Sequence, residues 1–199
     1  MSVLLVSLVS LVSLGLILRY ILTYKKKLSF GKRLGNIDNV WAYSSFDKKE
    51  LNKFSQLESV YIVPSGLESG LKWECVEFVR RYLILTHNVT FRQVDFAYEI
   101  FNLDYFTSTI NRKKVRINKI INGMNRPKKG SLIIWDRHVT LDNTGHVAIV
   151  VKTTHNKIFI AEQNWDNISW NGKNYSRILP LYNNMIDDPH IIGWIDIII

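Results

Sequence analysis

Cysteine is almost absent from this sequence of 199 residues, which contains only one, Cys75. A single cysteine excludes an internal disulfide framework and a zinc site built from cysteines. The five histidines have no HxxxH or HxH spacing, so we expect no metal, and we expect no cofactor. Acidic residues are also scarce, and the net charge of +9 favours attraction to anionic surfaces.

Aromatic residues are missing from the most basic part of the chain. Residues 111–129 contain eight Lys or Arg and no acid, which is typical of a solvated loop or helix face and, alternatively, of an anion-binding patch. Because the stretch has no aromatic side chain to stack on bases, we expect no nucleic-acid partner. A hydrophobic content of 47% argues against disorder and indicates a packed core.

The first 24 residues differ from the rest of the chain. Residues 2–18 are uncharged and would extend about 25 Å as a helix, slightly less than the roughly 30 Å of a bilayer core. Arg19 can snorkel, and the apolar run continues to the lysines at 25–27. These features predict an uncleaved, single-pass transmembrane anchor at 1–24, so a membrane is an expected partner.

A cleaved signal peptide and a buried core helix are the alternative interpretations of this segment. A signal peptide needs positive residues before the apolar run and small residues at a cleavage site, whereas here the positive residues follow the run. Because positive flanks favour the cytoplasmic side, we expect lysines 25–27 and the domain behind them to be cytoplasmic. We therefore predict an anchor at 1–24, a basic linker at 25–36 and one domain at 37–199.

The domain changes character along its length. Helix-like patterns come first, and β-rich runs bounded by Gly, Asn, Asp and Pro come later. This order predicts an α+β domain with an antiparallel sheet. The expected helices cover 47–57, 71–85 and 93–103, and the expected strands cover 131–135, 146–152, 157–162 and 191–198.

Cys75 lies just after a glycine-containing break, at the expected first turn of a helix. Unpaired N–H groups and the partial positive charge at a helix start favour a thiolate over a thiol. The same amides can receive an oxyanion. A buried structural cysteine is the alternative, and it is the commoner state of a lone cysteine.

A histidine and a carboxylate are expected to meet on a hairpin. His146 begins the run HVAIVV, and the run KIFIAEQN is expected to pair with it as the second strand of a hairpin. A connection at 152–156 would pair His146 directly with Glu162. Their Cβ atoms would then be about 5 Å apart, with Asn164 diagonally beyond. Such a carboxylate orients the imidazole that activates a thiol. A histidine at a strand start is otherwise a capping or core residue.

Three stretches carry a family resemblance. GLKWECVEFVRRYLIL, QVDFAYEIFNL and PKKGSLIIWDRHVTLDNTGHVAIVVKTTHNKIFIAEQN resemble the CHAP family of cysteine amidohydrolases and peptidases, and within it the amidase domain of glutathionylspermidine synthetase/amidase. The resemblance implies a papain-like α+β CHAP fold with N-terminal helices packed on an antiparallel sheet. It also implies Cys75 as nucleophile, His146 as base, Glu162 as the orienting acid and Asn164 as a fourth polar member of the site.

Two departures from the family pattern bear on function. The family commonly has Gln directly before the cysteine, whereas this chain has Glu74. If Glu74 faces the site, its charge opposes thiolate formation, and if it points outward it favours the helix start. The ATP-dependent synthetase domain of the bifunctional relatives has no counterpart here, so synthesis of the conjugate is not expected.

The function predicted from the sequence is amide hydrolysis through a thioester, by a membrane-anchored enzyme. The expected substrate is a small peptide or a peptide–polyamine amide of the glutathionylspermidine type. One alternative is a peptidoglycan amidase or endopeptidase of the CHAP type. The other is a catalytically decayed CHAP domain that serves as a membrane-tethered interaction module, with Glu74 as the sign of decay.

Overall fold

The computed structural model describes residues 26–46 and 60–198, and β-strands dominate this part of the chain. Its α-helix, α1, covers Cys75–His87, and short 3-10 helices cover Ala97–Asn102 and Val139–Leu141. The strands are β1 (Arg33–Ile37), β2 (Val40–Tyr43), β3 (Val60–Ile62), β4 (Glu68–Leu71), β5 (Val89–Thr90), β6 (Tyr105–Ser108), β7 (Lys114–Ile121), β8 (Leu132–Trp135), β9 (His146–Thr153), β10 (Lys157–Ala161), β11 (Arg177–Tyr182), β12 (Met185–Ile186) and β13 (Ile191–Ile197).

Nine of these strands form one antiparallel sheet. Their order across the sheet is β12-β11-β10-β9-β8-β13-β7-β6-β5. The pairs β1–β2 and β3–β4 form two separate hairpins. The four later strands expected from the sequence are confirmed as β8, β9, β10 and β13, each bound lying within one residue of the prediction.

Helix α1 is buried along most of its length at the centre of the fold. Phe78, Val79, Tyr82 and Leu83 recur at helical spacing, and all four are buried against strands that include β9. The helix ends at Asn88, which adopts a left-handed conformation and donates its backbone N–H to the Leu83 carbonyl. That arrangement satisfies one of the carbonyls left open at a helix end.

The strands at the centre of the sheet are buried on both faces. On β9, Val147 and Ile149 pack in the cluster that contains α1, whereas Ala148 and Val150 pack in a second cluster. Side chains alternate between the two faces of a strand, so burial of both faces explains the unbroken apolar run in this segment. The buried members of the second cluster all come from strands of the large sheet.

The predicted fold class, an α+β arrangement with N-terminal helices packed on a sheet, is wrong for the described residues, where sheet predominates. The expected helix at 93–103 contains a 3-10 helix at Ala97–Asn102 instead. The buried residues around it recur every third position, which matches the three residues per turn of a 3-10 helix rather than 3.6. They are Val94, Ala97, Ile100 and Leu103. The expected helix at 47–57 lies outside the described residues.

The basic stretch 111–129 was expected to be a loop or helix face, but it contains strand β7 (Lys114–Ile121). Val115 and Ile117 pack against the core, while the alternate residues Lys114 and Arg116 are exposed. This alternation has the period of a strand, and pairing with β6 and β13 supplies the backbone hydrogen bonds. Lys114 and Arg116 thus lie on one face of the sheet, whereas Lys119, which is also exposed, falls on the opposite face by alternation.

The predicted single-pass membrane location also requires correction. None of the helices in the described part of the chain has the length and apolar character needed to cross a bilayer. Against this finding, the membrane location and the cytoplasmic placement drawn from it are wrong. Residues 1–24, on which the anchor was predicted, lie outside the described residues, and the boundary of the basic linker at 25–36 stays a prediction.

Candidate active site

Cys75 and His146 are 71 residues apart in sequence, yet both line one cleft of about 710 Å³. Cys75 is the first residue of α1, and His146 is the first residue of β9. Because α1 packs on β9, the start of the helix and the start of the strand come together at the wall of the cleft.

His146 interacts with both Glu162 and Cys75. Its Nε2 lies 3.0 Å from Glu162 Oε2, and the Cys75 side chain, which lines the same cleft, interacts with the imidazole electrostatically. Burial lowers the pKa of His146, but the negative charge and hydrogen bond of Cys75, together with Glu162, outweigh burial and raise it to about 9. A cysteine and a carboxylate held beside the ring thus favour the imidazolium form of His146.

Glu162 is a buried carboxylate that accepts four hydrogen bonds. His146 Nε2 and Arg177 Nη2 donate to its Oε2, while Arg177 Nε and Ser176 Oγ donate to its Oε1. Burial raises the pKa of Glu162, but the hydrogen bond from His146 and the charge of Arg177 dominate and hold it below its ordinary value. The carboxylate thus stays ionised despite its burial.

The hairpin that joins His146 to Glu162 differs from the prediction in its register. The connection is three residues, 154–156, rather than five, and a bulge follows Phe159, so Glu162 lies diagonally across from His146 instead of directly opposite. An offset of two residues keeps both side chains on one face of the sheet. His146 and Glu162 are in contact for that reason, although the predicted pairing of the two residues was wrong.

Asn164 contacts the residue that directly precedes Cys75. Its Nδ2 donates to Glu74 Oε2, and both residues line the cleft. Burial raises the pKa of Glu74, and this outweighs the opposing effects of Asn164 and His146. Glu74 lines the cleft and is close enough to His146 for their charges to interact.

A buried polar network ties the segment after β10 to the start of α1. Gln163 Nε2 donates to the Glu74 backbone carbonyl at 3.0 Å and to Glu77 Oε2 at 2.9 Å. Glu77 also accepts from Ser69 and from Arg81, whose Nε lies 2.6 Å from its Oε1. The network locks the two chain segments that carry Cys75 and Glu162 against each other.

Gly145 sets the position of the histidine that follows it. Its φ is +67°, a left-handed conformation that favours glycine, and an added Cβ would lie 2.5 Å from the Trp135 carbonyl oxygen. The Trp135 ring itself packs edge-on against His146 at a centroid distance of 5.3 Å. Glycine is therefore needed at the position directly before β9.

Trp165 forms an open wall of the cleft beside the imidazole. Its side chain is 41% exposed, its ring centroid lies 5.0 Å from that of His146, and the Arg177 guanidinium carbon lies 3.7 Å from the same ring centroid. An exposed indole is an apolar surface on which a substrate can pack.

Of the four residues predicted for the site, Cys75 and His146 line one cleft, Glu162 is hydrogen-bonded to His146, and Asn164 is hydrogen-bonded to Glu74, which precedes Cys75. Sequence reasoning missed several partners. Glu77 and Gln163 could have been predicted as partners, because both lie within the motifs that identified the site. Glu77 also lies four residues before an arginine, a spacing that favours an ion pair on a helix. Two others, Ser176 and Arg177, could not have been predicted, because they follow a long irregular segment.

Comparison with known proteins agrees with this geometry. A family model described as CHAP domain matches residues 66–164. The bifunctional glutathionylspermidine synthetase/amidase of Escherichia coli (strain K12) is 36% identical over 162 residues, which cover 76% of this chain and 26% of that protein. The trypanothione synthetase of Crithidia fasciculata is 29% identical over 125 residues, or 60% of this chain and 19% of that protein.

The glutathionylspermidine synthase of Crithidia fasciculata is 26% identical over 138 residues, covering 64% of this chain. The chain spans 26% or less of the length of these relatives, so the likeness concerns one part of each. The matched family interval contains Cys75, His146, Glu162 and Asn164. The chain therefore belongs to the CHAP family and is a cysteine amidohydrolase or peptidase of that family.

Proposed function

We propose that this chain hydrolyses an amide bond through a thioester formed on Cys75. One observation carries the proposal: Cys75 lines one open cleft together with His146, and His146 is hydrogen-bonded to Glu162. A thiol beside a histidine that is itself oriented by a carboxylate is the arrangement that activates a nucleophile.

The first half of the reaction forms the acyl-enzyme. The Cys75 thiolate attacks the amide carbonyl carbon, and the developing oxyanion lies near the backbone N–H groups at the start of α1. The His146 imidazolium gives its proton to the amide nitrogen as the C–N bond breaks. The amine departs, and the acyl group remains on sulfur as a thioester.

The second half returns the enzyme to its starting state. Neutral His146 takes a proton from a water molecule, and the water oxygen attacks the thioester carbonyl. The C–S bond breaks, the acid leaves, and the thiolate–imidazolium pair is restored. Glu162 holds the ring throughout, and Asn164 acts one step away by holding the Glu74 carboxyl at the cleft wall.

The proposed substrate is a peptide–polyamine amide of the glutathionylspermidine type. Support comes from the relatives, one of which is named a glutathionylspermidine synthetase/amidase and is 36% identical to this chain over 162 residues. A cleft of about 710 Å³ has room for a ligand of that size.

The test is release of spermidine from glutathionylspermidine by the purified protein. A peptidoglycan stem peptide is assayed in parallel, and protein alkylated with iodoacetamide serves as control. Because the chain has one cysteine, alkylation modifies Cys75 alone. Spermidine release that alkylation abolishes supports the proposal, whereas cleavage of the stem peptide alone would overturn the substrate. Absence of both activities would favour the decayed interaction module.

Activity is expected to decline at alkaline pH, because the leaving amine needs the proton of the His146 imidazolium. The pKa of His146 is raised to about 9, so the imidazolium is present below that pH and is lost above it. We expect kcat/KM, measured from pH 6 to 10.5, to fall to half near pH 9. In Glu162→Gln the supporting negative charge is gone, and the decline should begin at lower pH. An unchanged decline in that variant would argue against His146 as the proton donor.

A further inference from the structure

Arg177 forms two hydrogen bonds to the buried carboxylate of Glu162, the partner of His146. It begins β11, and its Nε and Nη2 donate to the two oxygens of Glu162 at 2.7 and 2.9 Å. Two parallel bonds from a guanidinium to a carboxylate fix the orientation of both groups. The arginine side chain is 24% exposed, whereas that of Glu162 is 1% exposed, so the arginine closes the site on its solvent side.

A second contact holds the arginine itself in place. Its guanidinium carbon lies 3.7 Å from the centroid of the Trp165 ring, and Trp165 packs on His146 in turn. Arginine stacks well on aromatic rings because its guanidinium is planar and weakly hydrated. Arg177 is thereby held between the carboxylate and the cleft wall.

The charges of the site balance only when this arginine is included. A thiolate at Cys75 and an imidazolium at His146 cancel each other, which leaves Glu162 as a buried negative charge. A buried charge without a partner is costly and tends to be neutralised by proton uptake. Arg177 is the cation that forms an ion pair with Glu162 in addition to the imidazole.

Other charged groups face the site from neighbouring elements but do not replace Arg177. At the start of α1, Glu74 is bound by Asn164, and Glu77 is paired with Arg81. Two further charged residues, Lys27 and Asp142, line the cleft. None of these makes a hydrogen bond to the Glu162 carboxylate, whose four bonds come from His146, Ser176 and Arg177.

We propose that Arg177 is a positioning residue of the hydrolase: its guanidinium keeps the Glu162 carboxylate ionised and aimed at His146. The inference rests on the proposed function, since Arg177 acts on the reaction only through Glu162 and the imidazole. A protonated Glu162 would still occupy the same space, but it would no longer stabilise the imidazolium. Hydrolysis should therefore fail at acidic pH once the arginine is removed.

The test is the acid side of the pH profile of kcat/KM, with glutathionylspermidine as substrate, for the parent, Arg177→Met and Arg177→Lys. In Arg177→Met the pH of half-maximal kcat/KM on the acid side should rise by about one unit or more. The reason is that losing the positive charge of an ion-pair partner raises the pKa of a carboxyl by that amount. Lysine keeps the charge but not the paired hydrogen bonds, so the rise should be smaller. Lys173→Met removes an exposed charge from the same segment and should leave the profile unchanged.

A role in structure alone predicts a different result. It would lower kcat/KM by the same factor at every pH, and that outcome in both Arg177 variants would overturn the inference. In a Glu162→Gln background, Arg177→Met should cause no further shift, because no carboxyl remains to titrate. If melting shows the methionine variant to be unfolded, the lysine variant supplies the same comparison.

Failure of this inference is distinguishable from failure of the proposed function. If the parent still hydrolyses the substrate after alkylation of Cys75, or if no hydrolysis occurs, both the proposed function and the proposed role of Arg177 are wrong. If hydrolysis is thiol-dependent and the acid side does not move in the Arg177 variants, only the role of Arg177 fails.

Discussion

Replacing Cys75 with alanine is expected to lower kcat for amide hydrolysis by at least about 1,000-fold, the order of loss seen when a covalent nucleophile is removed. Without the sulfur no thioester can form, and the remaining groups can only assist direct attack by water. The measurement is spermidine release from glutathionylspermidine under saturating substrate. Retention of the parental rate by Cys75→Ala would end the proposal.

Cys75→Ser is the matched control for this experiment. Serine keeps the size of the side chain and a hydrogen-bonding group beside His146, but its hydroxyl ionises far less readily than a thiol. We expect Cys75→Ser to lose nearly as much activity as Cys75→Ala. Thermal unfolding of both variants within a few degrees of the parent would show that the loss is chemical. A serine variant of near-parental rate would argue that the thiolate is not the nucleophile.

Replacing Glu77 with alanine is expected to lower the free energy of unfolding by about 3–5 kcal/mol, the range for breaking a buried ion pair. Glu77 is fully buried and accepts hydrogen bonds from Ser69, Arg81 and Gln163. Its loss leaves the Arg81 guanidinium, 2% exposed, as a buried cation without its carboxylate. Denaturant unfolding of the purified variant measures the change.

The exposed pair of Lys119 and Asp104 is the control for the buried one. Its charged atoms lie 3.8 Å apart, and the Asp104 side chain is 90% exposed. Asp104→Ala should therefore cost less than about 1 kcal/mol, as exposed ion pairs do. If Glu77→Ala and Asp104→Ala destabilise the protein equally, the buried network does not hold together the two chain segments that carry Cys75 and Glu162.

Local patterns were enough to predict the elements that carry the site. The helix at Cys75 follows from helical spacing of apolar residues after a glycine break, and β9 and β10 follow from apolar runs separated by a polar turn. A hairpin brings residues close in sequence together with few alternatives, so the contact of His146 with Glu162 was predictable. Its register was not, because a bulge shifts the pairing without a sequence signal.

The balance of helix and strand was not predictable in the same way. A spacing of three at 94, 97, 100 and 103 resembles an amphipathic α-helix when read alone, and only packing selects the 3-10 form. The basic residues around β7 conceal a strand whose pairing partners, β6 and β13, include one about 70 residues away in sequence. Propensity is a weak guide where distant strands decide the outcome.

The sequence by itself determined which residues can do chemistry: a lone cysteine at a helix start, a histidine after a glycine, and a carboxylate on the returning strand. Tertiary structure decided how those residues are charged. Whether Glu74 faces the cleft, and whether Glu162 has a cation behind it, depends on segments that meet only when the chain folds. The physical reason is that burial and neighbouring charges set a pKa, and both are properties of three-dimensional packing.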